Sequence, residues 1–60
     1  MSFTQKVLDC QIGQAITTWN YNYGQIAWIE RGVGLGRVTI HFTNGDVRSY
    51  AAKTLATVHD

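Results

Sequence analysis

Sixty residues suffice for one domain, near the lower size at which a chain without disulfides buries enough apolar surface to fold alone, so marginal stability or association with another copy is expected. Hydrophobic residues at 45% against 15% charged leave apolar surface over for a partner, while a formal net charge of +1 excludes a global pull on nucleic acid or an anionic membrane and leaves only local clusters. The lone Cys10 has no internal disulfide partner, and neither a signal peptide nor an apolar span of membrane length is seen, which points to a reducing cytoplasm.

In chain order, Val7, Leu8, Ile12, Ala15 and Ile16 recur with a helical period, but Gly13 interrupts them and Thr17, Thr18 and Trp19 favour a strand. A first strand is therefore expected over residues 14–19, with residues 1–12 as a short helix, a strand or a flexible lead. Residues 20–24, Asn-Tyr-Asn-Tyr-Gly, are expected to form a polar aromatic loop. Residues 24–31 are a second strand. Ile26 and Ile29 lie three apart, so both reach one core only across a bulge or sharp bend; in a regular strand Ile26 and Trp28 share a face. Gly32, Gly34 and Gly36 then make a turn. Context argues for the turn over a phosphate cradle there, because such a loop leads into a helix N-terminus and a strand follows Gly36 instead.

Val38, Ile40 and Phe42 alternate with Arg37, Thr39, His41 and Thr43, the period of a half-buried strand. Asn44-Gly45 both accept the positive φ of a two-residue type I′ turn. Counting from that turn sets Phe42 opposite Val47, His41 opposite Arg48, Ile40 opposite Ser49 and Thr39 opposite Tyr50. The expected inner face is Val38, Ile40, Phe42, Val47, Ser49 and Ala51; the outer face is Arg37, Thr39, His41, Arg48 and Tyr50. Over residues 51–56 a single helical or 3₁₀ turn is expected to present Leu55 to the core before Val58 closes the sheet.

The resulting pattern, G-x-I-x-x-I, then G-x-V-x-I-x-F-x-x-G-x-V-x-x-Y and L-x-x-V, resembles the small Src-homology-3-like (SH3-like) and Tudor-like barrels over about residues 13–59. The resemblance implies an all-β fold, a five-stranded SH3-like barrel with one short helical or 3₁₀ turn before the last strand. It also implies a binding module for nucleic acid, for a nucleic-acid-processing protein or for peptides. Gly24-Gln25-Ile26 with Val47, Tyr50, Leu55 and Val58 is similar to the frame of the plasmid-borne type II dihydrofolate reductases. Their catalytic Val-Gln-Ile-Tyr stands here as Val47-Arg48-Ser49-Tyr50, without the glutamine and isoleucine that shape the pocket. That similarity implies assembly around a central pore that takes a planar ligand.

Enzyme chemistry finds little support among the polar residues. Asp9, Glu30, Asp46 and Asp60 are scattered, so no carboxylate pair is placed for acid and base work, and Asp46 reads as a turn residue. His41 and His59 have no partner at metal-ligand spacing, and Cys10 has no basic neighbour nearer than Lys6 to lower its pKa. No catalytic residue, cofactor or metal is expected. The constellation with chemical use is Arg37, His41, Arg48 and Tyr50 on the outer face with Trp28, Tyr21 and Tyr23 at its rim. Guanidinium groups pair with phosphates or carboxylates and flat rings stack on bases or peptide side chains. The expected function is a small non-enzymatic adaptor that docks on nucleic acid or a nucleic-acid-processing protein. A homo-oligomeric pore that binds a planar ligand, and a phage-type inhibitor of a host enzyme, are the alternatives.

Overall fold

The computed structural model describes residues 2–32 and 36–59; Met1, Asp60 and the Gly34 of the expected glycine turn lie outside the described residues. Six strands form: β1 (Ser2–Lys6), β2 (Ala15–Thr18), β3 (Tyr21–Arg31), β4 (Arg37–Phe42), β5 (Val47–Ala51) and β6 (Leu55–His59), with one 3₁₀ turn at Val7–Asp9 among the described residues. Every pairing is antiparallel, and the sheet runs β1-β6-β2-β3-β4-β5. The all-β class is as expected. The count of five strands is not, because residues 2–6 form a strand that extends the sheet beyond β6. Strands β1 and β5 are the two ends of the hydrogen-bonded order, which does not close on itself. No helix among the described residues is long and apolar enough to cross a membrane.

The N-terminal helical period yields only the 3₁₀ turn. Gly13 sits at φ +95°, outside any helix, and the chain around it is held by side chains from elsewhere. Arg31 donates from Nε to the Leu8 carbonyl at 3.1 Å and from Nη2 to the Cys10 carbonyl at 2.8 Å, satisfying carbonyls that a single turn leaves free.

Strand β3 serves two partners. Its first half pairs with β2 and its second half with β4, and the handover falls at Gln25 and Ile26, where Ile26 N–H reaches the Gln14 carbonyl and Thr43 N–H reaches the Gln25 carbonyl. Two irregularities make this possible. Asn22 and Tyr23 lie between the Ile16–Gly24 and Thr18–Tyr21 pairs, opposite Thr17 alone, and Ala27 lies between the Ile26–Phe42 and Trp28–His41 pairs, opposite nothing. The second is the bulge that the Ile26–Ile29 spacing demands, and both isoleucines are buried. Leaving one outside would forfeit about 1.5–3 kcal/mol of burial, more than the roughly 0.5–1.5 kcal/mol of a disrupted ladder bond, so the bulge wins. The expected loop over residues 20–24 shrinks accordingly to a turn at Trp19 and Asn20, and β3 starts at Tyr21.

The β4–β5 hairpin departs from expectation by one residue. Gly45 N–H reaches the Phe42 carbonyl at 3.0 Å and Phe42 N–H reaches the Asp46 carbonyl at 2.8 Å, so Thr43, Asn44 and Gly45 form a three-residue loop with Gly45 at φ +95°. His41 then faces Val47, Ile40 faces Arg48, Thr39 faces Ser49 and Val38 faces Tyr50. A slip of one flips the whole strand: Tyr50 enters the core, and Val47, Ser49 and Ala51 turn to solvent. The preference is physical. Burying a tyrosine ring removes roughly 150–250 Å² from water, about 4–6 kcal/mol, against roughly 1.5–3 kcal/mol for the valine it displaces. The tyrosine hydroxyl is also matched inside. It lies 2.8 Å from Asn20 Oδ1 and 2.7 Å from Thr18 Oγ1, and Thr18 Oγ1 lies 3.0 Å from the same Asn20 oxygen.

Between β5 and β6 the expected helical turn is absent. Ala52 and Lys53 make a tight turn closed by Thr54 N–H to the Ala51 carbonyl at 2.9 Å. Ala56 and Val58 occupy the inner face of β6, so the strand period points Leu55 outward, where it is 58% exposed rather than in the core. The core comprises Val7, Cys10, Ile16, Ile26, Ile29, Val38, Ile40, Phe42, Tyr50, Ala56 and Val58.

At Gly24 the strands leave no room for a side chain: a Cβ there would stand 2.5 Å from Tyr21 Cε2 and 2.6 Å from Phe42 Cδ1. Those rings stack at 4.1 Å between centroids with 11° between planes. Gly24→Ala is expected to destabilise the fold by about 1–3 kcal/mol, read from the midpoint of urea unfolding; an unchanged midpoint would mean that the stack is not the packing that holds β3 against β4.

Candidate functional site

The seven residues expected to gather on one face are divided among four places. Trp28, His41 and Arg37 do share the outer face of β3 and β4, where alternation also brings Glu30, Thr39, Val47 and Ser49. Trp28, His41 and Val47 form one cross-strand row, with Trp28 56% and Val47 47% exposed. Beside it, His41 Nε2 lies 2.7 Å from Glu30 Oε1, and Arg37 Nη2 donates to Ser49 Oγ at 3.1 Å. Val47 and Ser49 were expected inside; the register of the hairpin delivers them to this face.

Arg48 and Tyr21 lie elsewhere, at the hairpin end of the inner face. Phe42, Tyr21 and Arg48 are layered, with the Arg48 guanidinium 5.1 Å from the Tyr21 ring centroid and the Tyr21 ring on Phe42. Tyr21 donates to Asp46 Oδ2 at 2.6 Å and accepts from Asn44 Nδ2 at 2.9 Å, while Asn44 Oδ1 accepts from the Asp46 N–H at 3.0 Å. The Asp46 carboxylate at its hydroxyl pushes the Tyr21 phenol up, and the Tyr21 and Asn44 donors hold the Asp46 carboxyl below its ordinary range. Asp46 was expected in the turn; it lies just past the three-residue loop, paired with Phe42, and anchors an aromatic pile. Arg48 further donates from Nη1 to the Val47 carbonyl at 2.9 Å.

Tyr50 is no surface residue at all. It is 1% exposed, and burial pushes its phenol up. Tyr23 lies on the outer face of β2, β3 and β6, tilted against the His59 ring at 5.0 Å. The Thr17 hydroxyl donates to the Asn22 carbonyl, and its oxygen lies 2.7 Å from His59 Nε2; with its single proton committed, Thr17 must accept from His59 Nε2–H. The Tyr23–His59–Thr17 group escapes sequence reasoning because it depends on β6 lying beside β2, a contact between residues about forty positions apart. Trp19, 78% exposed on the β2–β3 turn, and Phe3, 44% exposed on β1, are the other open aromatics.

Among the described residues no three of His, Cys, Asp or Glu come together as a metal site would require. Cys10 is fully buried, and burial followed by the Asp9 charge pushes its thiol up, which makes it inert. Comparison of the chain with protein-family models, with curated proteins and with solved structures gives no match.

Three titratable groups tie the stability of the fold to pH. Asp46 has a lowered native pKa, so its contribution is complete above its ordinary value of 3.8 and is lost as pH falls through the native one. Tyr21 and Tyr50 have raised native values, so their contribution is complete below 10.0 and is lost as pH rises from there towards the native ones. The melting temperature is therefore expected to fall below about pH 4 and above about pH 10, and Tyr21→Phe should flatten the acid limb; a variant with the acid limb of the parent would remove Asp46 as its source. Cys10 is expected to resist a thiol-reactive disulfide reagent in buffer and to react fully in urea, and rapid labelling of the native protein would contradict its burial.

Proposed function

We infer that the chain is a small binding module with an SH3-like barrel fold that docks on a nucleic-acid-processing protein through the outer face of β3, β4 and β5. The chief support is the row Trp28–His41–Val47 on three paired strands, in which half-exposed Trp28 and Val47 flank the His41 imidazole and the backbone is fixed by its ladders rather than by a loop. Tryptophan in such a position offers a large rigid contact area at small entropic loss. Support for the barrel comes from the long, twice-bulged β3 shared between two halves of the sheet, and from the β2–β6 pairing that brings the last strand back to the start of the meander. The class of partner follows from the resemblance to small barrels.

Protein is favoured over nucleic acid for this face by the placement of charge. Arg37 is the one arginine on it, and Glu30 stands on the same face, so few phosphates would be neutralised and little counterion release would be gained. Arg48 is drawn away to the Tyr21 ring.

The test compares the immobilised parent with Trp28→Ala in extracts of the source cell, with bound proteins identified by mass spectrometry. Trp28→Ala is expected to leave the melting temperature nearly unchanged, because the ring is half in solvent, and to lose the specific partner. Retention of that partner would sink the proposed face. A fluorescence titration with 20-nucleotide single-stranded DNA at low and high salt covers the other class of partner: tight binding that falls steeply with salt and disappears in Arg37→Ala would put nucleic acid in the protein's place.

A further inference from the structure

We propose that the free edge of β5 receives an extended acidic polypeptide strand, which adds to the sheet beside Val47, Ser49 and Ala51. This deepens the docking role inferred above and rests on it, since it names the chemistry of the partner segment. The edge follows from the ladder. Ala52 N–H bonds the Gly36 carbonyl and Phe42 N–H bonds the Asp46 carbonyl, so residues 46, 48, 50 and 52 direct their backbone groups to β4. By alternation the N–H and C=O groups of Val47, Ser49 and Ala51 point the other way, and β5 ends the strand order, so no strand among the described residues receives them. Two of the outward carbonyls have local donors: Arg48 Nη1 reaches that of Val47, and Thr54 N–H that of Ala51. The N–H groups of Val47, Ser49 and Ala51 and the Ser49 carbonyl face outward. Such a row is a template for a further strand.

Charge selects the occupant. Of the five lysines and arginines, Arg37, Arg48 and Lys53 lie on β5 or next to it: Arg37 pairs with Ala51 across the ladder and reaches Ser49, Arg48 lies within the strand, and Lys53 follows it in the turn. The nearby carboxylates are already engaged. Asp46 accepts from Tyr21 and Asn44, and Glu30 stands against His41 on β3. A strand with acidic side chains would meet Arg37 on the outer face and Lys53 at the end of β5, while the Arg48 guanidinium stays over the Tyr21 ring. A second copy of the chain would instead bring its own Arg37, Arg48 and Lys53 to the same edge, and like charges across a strand pair are unfavourable. Nucleic acid matches the charge but supplies no alternating row of donors and acceptors for the backbone.

The experiment uses the intact, ¹⁵N-labelled chain and an acetylated, amidated octapeptide of alternating threonine and glutamate. Its controls are the threonine–lysine counterpart, the acidic peptide methylated on every backbone nitrogen, and Ser49→Pro. Because the Ser49 N–H points outward, proline there leaves the β4 ladder whole and removes a donor only from the edge. The acidic peptide is expected to shift the amides of Val47, Ser49 and Ala51 and slow their exchange. Affinity should fall by roughly tenfold for each control, the scale of one or two backbone hydrogen bonds or a lost charge match. The methylated peptide tests the edge even if Ser49→Pro fails to fold. Equal binding of the lysine peptide would overturn the charge selection, and doubling of the particle mass with β5 amide protection in the absence of peptide would overturn the choice of occupant. Shifts confined to the Trp28 indole and Arg37, with the β5 amides still, would overturn strand addition and leave the docking face standing. Loss of the cellular partner in Trp28→Ala, with no response of either region to peptide, would separate the two in the same way.

Discussion

One strand has to present side chains to a single core while pairing with two neighbours that approach from different directions, and everything else in this molecule adjusts to that demand. A regular strand of eleven residues would put Tyr23, Gln25, Ala27 and Ile29 on one face and split the isoleucines. The extra residues at Asn22–Tyr23 and at Ala27 reset the alternation twice, so that Tyr21, Gly24, Ile26 and Ile29 all turn inward. Each reset also bends and twists the strand, which is how a sheet this short wraps around its own apolar face. Gly24 sits between the two resets, where the strands come closest and Tyr21 and Phe42 fill the space a side chain would need.

The chain announced some of this and concealed the rest. Alternation in Val38, Ile40 and Phe42 marked β4 and its inner face, and the three-residue spacing of Ile26 and Ile29 required the bulge that β3 contains. Residues 2–6 gave no such signal, because Ser-Phe-Thr-Gln-Lys carries little apolar pattern and becomes a strand through its pairing with β6 at the far end of the chain. The hairpin was recognisable from Asn44-Gly45, yet two-residue and three-residue loops use the same pair of residues. The choice between them lay in the destination of Tyr50, whose hydroxyl partners Thr18 and Asn20 are about thirty positions away. That single step dismantled the expected Arg37–His41–Arg48–Tyr50 constellation: it left Arg37, His41 and Trp28 together, added Val47 to them, and moved Arg48 to another face.

Arginine placement shows how little of a small protein's charge is free to recognise a partner. Arg31 holds the carbonyls of Leu8 and Cys10, and Arg48 lies over an aromatic ring and a carbonyl. Guanidinium suits both tasks, since its planar fork of donors serves two acceptors at once and its face stacks on a ring. A count of cations from composition would therefore overstate the electrostatic reach of this surface, and position on the ladder matters more than number.

The Asn44-Gly45 loop has a chemical side as well. An asparagine followed by glycine is a pair open to deamidation, in which the glycine nitrogen attacks the side-chain carbonyl, the amide nitrogen leaves as ammonia and a succinimide ring closes. Here Gly45 N–H is bonded to the Phe42 carbonyl and the Asn44 carboxamide is held by the Asp46 N–H and the Tyr21 hydroxyl, so the two reacting groups are kept occupied while the hairpin is closed. Once the loop frays and the ring forms, hydrolysis leaves a carboxylate where an amide donated to Tyr21 and Asp46. Where the ring opens to aspartate, two carboxylates would then face each other across the base of the Phe42–Tyr21–Arg48 pile.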